Sequence, residues 1–193
     1  ISEIRSQIYD VFHGSKEFQT HIIRSGDMDR YAAYYNSMFL IQDTTDAIFT
    51  HMNKGFSRES SIAYIEIWGV MQAIQIQQDA IVELYSAVVG GAPALNIGPG
   101  WIALRDLRNL LAGHPARRTH RIQGTQRAFM GRRFGTYDRL TYELWDSFAA
   151  SLPQPAGKVF RGTSFPTVNL RQMIIDYADE AAAALQTVYE TIQ

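Results

Sequence analysis

Arg108, Asn109 and His114 are the residues of this chain whose types and spacing best suit chemistry. They lie in Leu104–Pro115, which reads L-R-D-L-R-N-L-L-A-G-H-P. An imidazole exchanges a proton near neutral pH and can serve as general acid or base. A guanidinium stays charged and presents a fork of donors that fits carboxylate or phosphate. The same residues also have a structural reading. Arginine near a helix C-terminus favours the last carbonyls, and Gly113-His114-Pro115 is an ordinary helix stop.

The charge around the motif is uneven. The 193-residue chain carries a net charge of −1, which on its own argues against nucleic acid. Between Arg105 and Arg139, however, nine arginines oppose two aspartates, a local charge of 9 − 2 = +7 that leaves −8 elsewhere. No lysine falls in this window. Such asymmetry is the usual footprint of a polyanion partner, and Arg105, Arg117, Arg118 and Arg121 are the expected phosphate contacts. Pairing with carboxylates of the acidic remainder is the alternative.

Other chemistries find little support. There is no cysteine, which excludes disulfides, thiolate metal sites and a cysteine nucleophile, and suits a reducing cytoplasm. His13, His51 and His114 suggest a three-histidine metal site, but no His-x-x-x-His or Glu-x-x-His pair supports it. Gly98-Pro99-Gly100 is not followed by Gly-Lys-Ser/Thr, so it makes no P-loop. No metal and no cofactor are expected. No apolar run approaches the ~20 residues of a membrane span, and the start lacks a signal-peptide pattern. A soluble, cytoplasmic protein with no membrane partner is the expectation.

The elements that must position the motif are mostly helical. Apolar residues make up 46% of the chain and charged residues 19%, a globular composition long enough for one domain over 1–193. Ile4, Ile8, Val11 and Phe12 mark a short opening helix. After a loop at Ser25-Gly26-Asp27, with Asp27 or Asp29 as cap, a second helix carries Tyr31, Tyr34, Tyr35, Met38, Phe39, Ile41, Ile48 and Met52 on one face. Gly55 ends it, and Ser57 is placed to cap the next. The third helix, about Ser60 to Val89, is apolar nearly all round through Ile65, Trp68, Ile74, Ile81 and others. Such a helix is central in a bundle or is also covered by a second subunit. Gln72, Gln75, Gln77 and Gln78 are expected to satisfy one another along a buried seam.

The motif helix runs from Trp101 to Ala112, with Gly113 as its C′ residue. Two β-rich runs, Ala128–Phe134 and Arg139–Trp145, predict a hairpin within an insertion at about 119–150. Residues 151–166 read as a linker, and Thr167 or Asn169 caps a last helix with Leu170, Ile174, Tyr177, Ala181, Leu185 and Val188 inward.

Arg108-Asn109 followed at a short gap by His114, where a penultimate long helix stops, resembles the Arg-x(4–6)-His motif of the HEPN family. The string R-D-L-R-N…G-H-P is also similar to bacterial members that carry a hairpin after the motif. The resemblance covers the bundle from about Tyr31 to His114 and the last helix. It implies an up-and-down helical bundle, here with an appended β-hairpin. It also implies a metal-independent ribonuclease working as a homodimer, such as a toxin with a cognate antitoxin or a defence component.

On that reading His114 moves the proton of a 2′-hydroxyl and Arg108 stabilises the charged phosphate. Asn109 orients the imidazole or holds the backbone, and the neighbouring arginines grip flanking phosphates. Six residues of ideal helix turn about 600°, which leaves Arg108 and His114 about 120° apart. A composite site between two chains resolves that separation. Members of the family without nuclease activity imply the alternative, a non-catalytic helical dimer that binds a partner protein or a nucleotide.

Overall fold

Two long helices and a terminal one organise the molecule. The computed structural model describes residues 1–23, 28–90, 94–120, 124–151 and 162–193. Helix α1 (Ser2–Gly14) buries Ile8 and Phe12, and its Arg5 donates from Nε to the Met38 carbonyl at 3.0 Å. Helix α2 (Lys16–Ile23) follows at once, where sequence alone leaves a loop. Ser25 to Asp27, including one of the expected caps, lie outside the described residues. Asp29 stands in the first turn of α3 (Met28–Lys54).

Gly55 closes α3 in the left-handed region (φ 78°), which glycine enters without a Cβ penalty. Its N–H donates to the His51 carbonyl. Ser57 does not cap the next helix directly. Its hydroxyl accepts from the N–H of Glu59, the residue before α4 (Ser60–Val89). The periodicity therefore fixes α4 at the limits expected, and its 30 residues span about 45 Å.

α3, α4, α1 and the last helix, α7 (Leu170–Ile192), pack as a bundle, with α5 (Pro99–Arg108) against α4 and α7. Ile67, Met71, Ile74, Ile81 and Leu84 recur on the inward face of α4. The glutamines do not satisfy one another. Gln77 donates to Thr45 and Thr44 and accepts from the Tyr177 hydroxyl at 3.0 Å, while Gln78 donates to the Trp101 carbonyl. Only these two are fully buried. Tyr35 and Phe39 of α3, and Ile65 and Trp68 of α4, are exposed rather than inward. An apolar stripe shows which faces are available for burial but not which of them a monomer covers.

The β region is more than a hairpin. β1 (Arg118–His120), β2 (Gly124–Phe129), β4 (Glu143–Asp146) and β5 (Thr163–Ser164) form an antiparallel sheet in the order β1-β2-β4-β5. β3 (Leu140–Thr141) pairs separately with β6 (Thr167–Val168). The expected hairpin is found only in part, as β2 against β4: of its first run only Ala128 and Phe129 are in the strand, with Arg127 opposite Trp145 and Ala128 opposite Leu144. Between these strands the chain folds back at Gly135, whose φ is positive and whose lack of a Cβ lets it approach the Arg139 carbonyl. A short helix, α6 (Ser147–Ser151), follows β4, and residues 152–161 of the expected linker lie outside the described residues. The linker's end is not free chain, since it supplies β5. Asn169 rather than Thr167 caps α7, its side chain accepting from Gln172 N–H at 3.0 Å.

His51 ties this region to the bundle. Its Nδ1 lies 2.7 Å from the buried Tyr137 hydroxyl, and its Nε2 is 3.7 Å from Glu66, too long for a hydrogen bond. Phe56 stacks on the Tyr137 ring at 4.6 Å, and Arg171 covers it from α7. Burial lowers the His51 pKa, against the pull of Glu66 and with the help of Lys54. Burial also works against ionisation of Glu66, but Lys54 and the Ser57 N–H outweigh it and hold that carboxyl below its usual range.

The unfolded imidazole therefore takes a proton more readily than the folded one. The stability His51 contributes is complete above its unfolded pKa and is lost as pH falls below about 6.5 towards the folded value. Melting midpoints measured between pH 8 and the onset of carboxylate protonation are expected to decline in that window. His51→Gln should flatten the decline, and an unchanged slope would remove His51 as its origin.

Candidate functional site

The motif helix begins under a carboxylate. Glu180 of α7 accepts from Gly100 N–H at 2.8 Å and from Trp101 N–H at 2.6 Å, satisfying donors that open α5. Gly98 and Gly100 are small because a Cβ at either would press on Glu180 or its helix. Trp101, Leu104 and Leu107 then anchor α5 inward, Trp101 edge-on to Tyr177 at 5.2 Å.

After Arg108 the helix widens into a π-turn, Asn109–Gly113, closed by His114 N–H donating to the Asn109 carbonyl at 2.8 Å. Such turns recur at functional sites. Gly113 is thus not the left-handed C′ residue expected from the sequence, since its φ is not positive. Its small size has another use. A Cβ there would stand 2.9 Å from Arg108 Nη1.

Arg108 is held on two sides. Nη1 donates to Asn109 Oδ1 at 3.0 Å and Nη2 to Gln72 Oε1 of α4 at 2.8 Å. Its Nε is buried with no hydrogen-bond partner among the described residues. Asn109 therefore positions the guanidinium with its side chain and the His114 backbone with its carbonyl, rather than orienting the imidazole. His114 itself is exposed, and among the described residues its ring has no hydrogen bond to Arg108 or Asn109. Within one chain the structure brings Arg108, Asn109 and Gln72 together and leaves His114 beside them.

The expected phosphate contacts divide. Arg105 donates to Gln78 at 3.0 Å and pairs with Asp79 at 2.9 Å, which pins α5 to α4. Arg118 pairs with Asp106 at 2.6 Å and bonds its carbonyl, which pins β1 to α5. Both are therefore engaged as structural clamps, as the pairing alternative foresaw. Arg117 is exposed and forms no ion pair among the described residues, and Arg121 lies outside them.

Sequence reasoning missed Gln72 and Gly113 as parts of this cluster. A polar amide on an otherwise apolar stretch of α4 was the available signal for the first. For the second it was a glycine inside the motif.

Two other places lack the groups for acid–base work on an anion. A cavity of about 280 Å³ between α3 and α7 is lined by apolar side chains around Gln77, which is already bonded to Tyr177. Among the described residues no three His, Asp or Glu side chains are grouped to hold a metal ion, and His51 of the imagined triad is engaged with Tyr137.

Gly113→Ala is expected to fold as well as the parent or slightly better, because alanine suits helical backbone by about 0.5–1 kcal/mol. The added methyl displaces the flexible guanidinium. A rate that depends on Arg108 should fall roughly tenfold with no loss in melting midpoint. An unchanged rate would show that this position of the guanidinium is not the active one.

No helix of the described residues is long and apolar enough to cross a membrane. Comparison with protein-family models, with curated proteins and with solved structures finds no match to this chain.

Proposed function

We propose that this chain is a HEPN-like, metal-independent endoribonuclease of the cytoplasm whose site, built on Arg108, Asn109 and His114, is completed by a second copy of the chain. The observation that carries the reading is the setting of Arg108. Its guanidinium is aimed by Gln72 and Asn109 beside a π-turn that projects an exposed histidine. A charge held this way by neutral amides, with no carboxylate partner among the described residues, is available to an incoming phosphate.

Support for the second copy comes from α4. Ile65, Trp68, Gln72, Asp79 and Val82 share the helix's exposed side at heptad-like spacing, with Ile65 69% and Trp68 45% exposed. Gln72 sits in the middle of that stripe and holds Arg108, so a two-fold partner seated there brings two motifs close together. On this reading the bundle is the HEPN bundle and the sheet is an addition to it. A toxin or defence role, with an antitoxin as inhibitor, follows from the same resemblance.

The second reading, a non-catalytic dimer binding a protein partner or nucleotide, is favoured by the engagement of Arg105 and Arg118 in ion pairs. Incubation with single-stranded RNA in EDTA separates the two. Cleavage lost in both Arg108→Ala and His114→Ala supports the nuclease, and no cleavage by the parent protein supports the second reading.

A further inference from the structure

On the sheet, Arg127 has no ion pair among the described residues and lies with the half-buried Trp145 and the exposed Phe129. Alternation along β2 places Arg127 and Phe129 on one face and Ala128 on the other. Ala128 is buried, and its cross-strand partner Leu144 packs on the core. The opposite face is therefore the outer one. There the Arg127 guanidinium lies over the Trp145 ring at 4.8 Å, and Phe129 is 63% exposed.

Further positive charge borders this face. Ala128 N–H donates to the Pro115 carbonyl and Arg118 pairs with Gln126, so Arg117 runs alongside β2. Arg132 and Arg133, both exposed, follow the strand. Among the described residues none of Arg117, Arg127, Arg132 and Arg133 forms an ion pair. A carboxylate also stands on the face, Glu143, opposite Phe129. The same hydrogen bond to Pro115 sets the edge of this face next to His114.

We propose that this outer face, built on Arg127, Phe129 and Trp145 and flanked by Arg117, Arg132 and Arg133, binds single-stranded nucleic acid and leads it to the Arg108–His114 site. Flat aromatic surfaces stack on unpaired bases, whichever base is present, and interleaved arginines neutralise the phosphates between them. A paired duplex hides the base faces that such a platform grips. An acidic protein would match the charge but gain little from Phe129 and Trp145. The choice of RNA over DNA rests on the proposed ribonuclease reading, whereas the platform itself rests on the sheet.

The test uses a fluorescein-labelled 12-nucleotide unstructured RNA carrying 2′-O-methyl groups, which cannot undergo attack by its own 2′-oxygen. Anisotropy titrations in EDTA should show binding that weakens steeply with salt. Arg127→Ala and Phe129→Ala should each raise Kd about fivefold or more, and Glu143→Gln should lower it. Trp145 fluorescence should be quenched on binding, and Trp145→Phe should remove that quench while Trp68 and Trp101 remain.

No binding by the parent protein, equal binding by the Arg127 and Phe129 variants, equal or tighter binding of a duplex, or equal competition by polyglutamate would each overturn the platform. Binding with these dependences in a protein that never cleaves RNA keeps the platform and sinks only the nuclease reading. Cleavage indifferent to Arg127 and Phe129 does the reverse.

Discussion

Arg108→Ala should lower RNA cleavage in EDTA by about 10²–10³-fold, the usual scale for a group that stabilises transition-state charge. The melting midpoint should barely move. Among the described residues Arg108 donates hydrogen bonds to Asn109 and Gln72, but its Nε is buried without a partner. Truncation thus removes an unmet desolvation cost along with the bonds, and the exposed Gln72 amide can turn to water. A residue kept for folding would give the opposite signature, lost stability with activity falling only in proportion. Arg108→Lys should recover little, because one ammonium cannot bond Asn109 and Gln72 and still present a fork to phosphate. Circular-dichroism melts beside initial cleavage rates check both halves.

Trp68→Glu carries the second large effect. Trp68 is half exposed on the outer stripe of α4, one turn from Gln72. It stacks edge-on with Tyr64 but is not part of the buried core, so the monomer should tolerate the charge. At a two-fold interface the same change puts two carboxylates close to the axis. The dimer Kd should rise roughly thirtyfold or more, as for loss of an interfacial anchor. Cleavage should fall with the dimer population and recover at high protein concentration. Sedimentation velocity with rate measurements over the same concentration range reads this. Dimers that persist with full activity in Trp68→Glu would move the interface elsewhere.

What sequence could and could not disclose follows from how local each feature is. The limits of α4 are readable because periodicity and flanking residues agree over 30 positions. Gly55 and Asn169 declare themselves through backbone freedom and a capping oxygen. The π-turn is hidden because Asn109–Gly113 has the composition of an ordinary helix end, and one shifted hydrogen bond leaves no mark in residue type. The sheet is only half legible. Its β2–β4 pair is close in sequence, whereas β1, β5 and β6 are two or three residues long and are defined by distant partners.

The candidate site shows the same division. Arg108, Asn109 and His114 are visible as types, but Gln72 reaches Arg108 from 36 positions away. Arg105 and Arg118 look like phosphate contacts in a +7 window until Asp79 and Asp106 are found beside them. Tertiary pairing turns part of that charge into internal structure and leaves Arg108 on α5 and Arg127 on the sheet without ion pairs among the described residues.

The initial rate of cleavage of an unstructured RNA in EDTA, measured against protein concentration for the parent chain, Arg108→Ala and His114→Ala, decides whether two copies of Arg108 and His114 make a nuclease. Cleavage by the parent alone is expected, with a rate rising more steeply than linearly below the dimer Kd. Absence of cleavage by the parent, or cleavage that survives both substitutions, would contradict it.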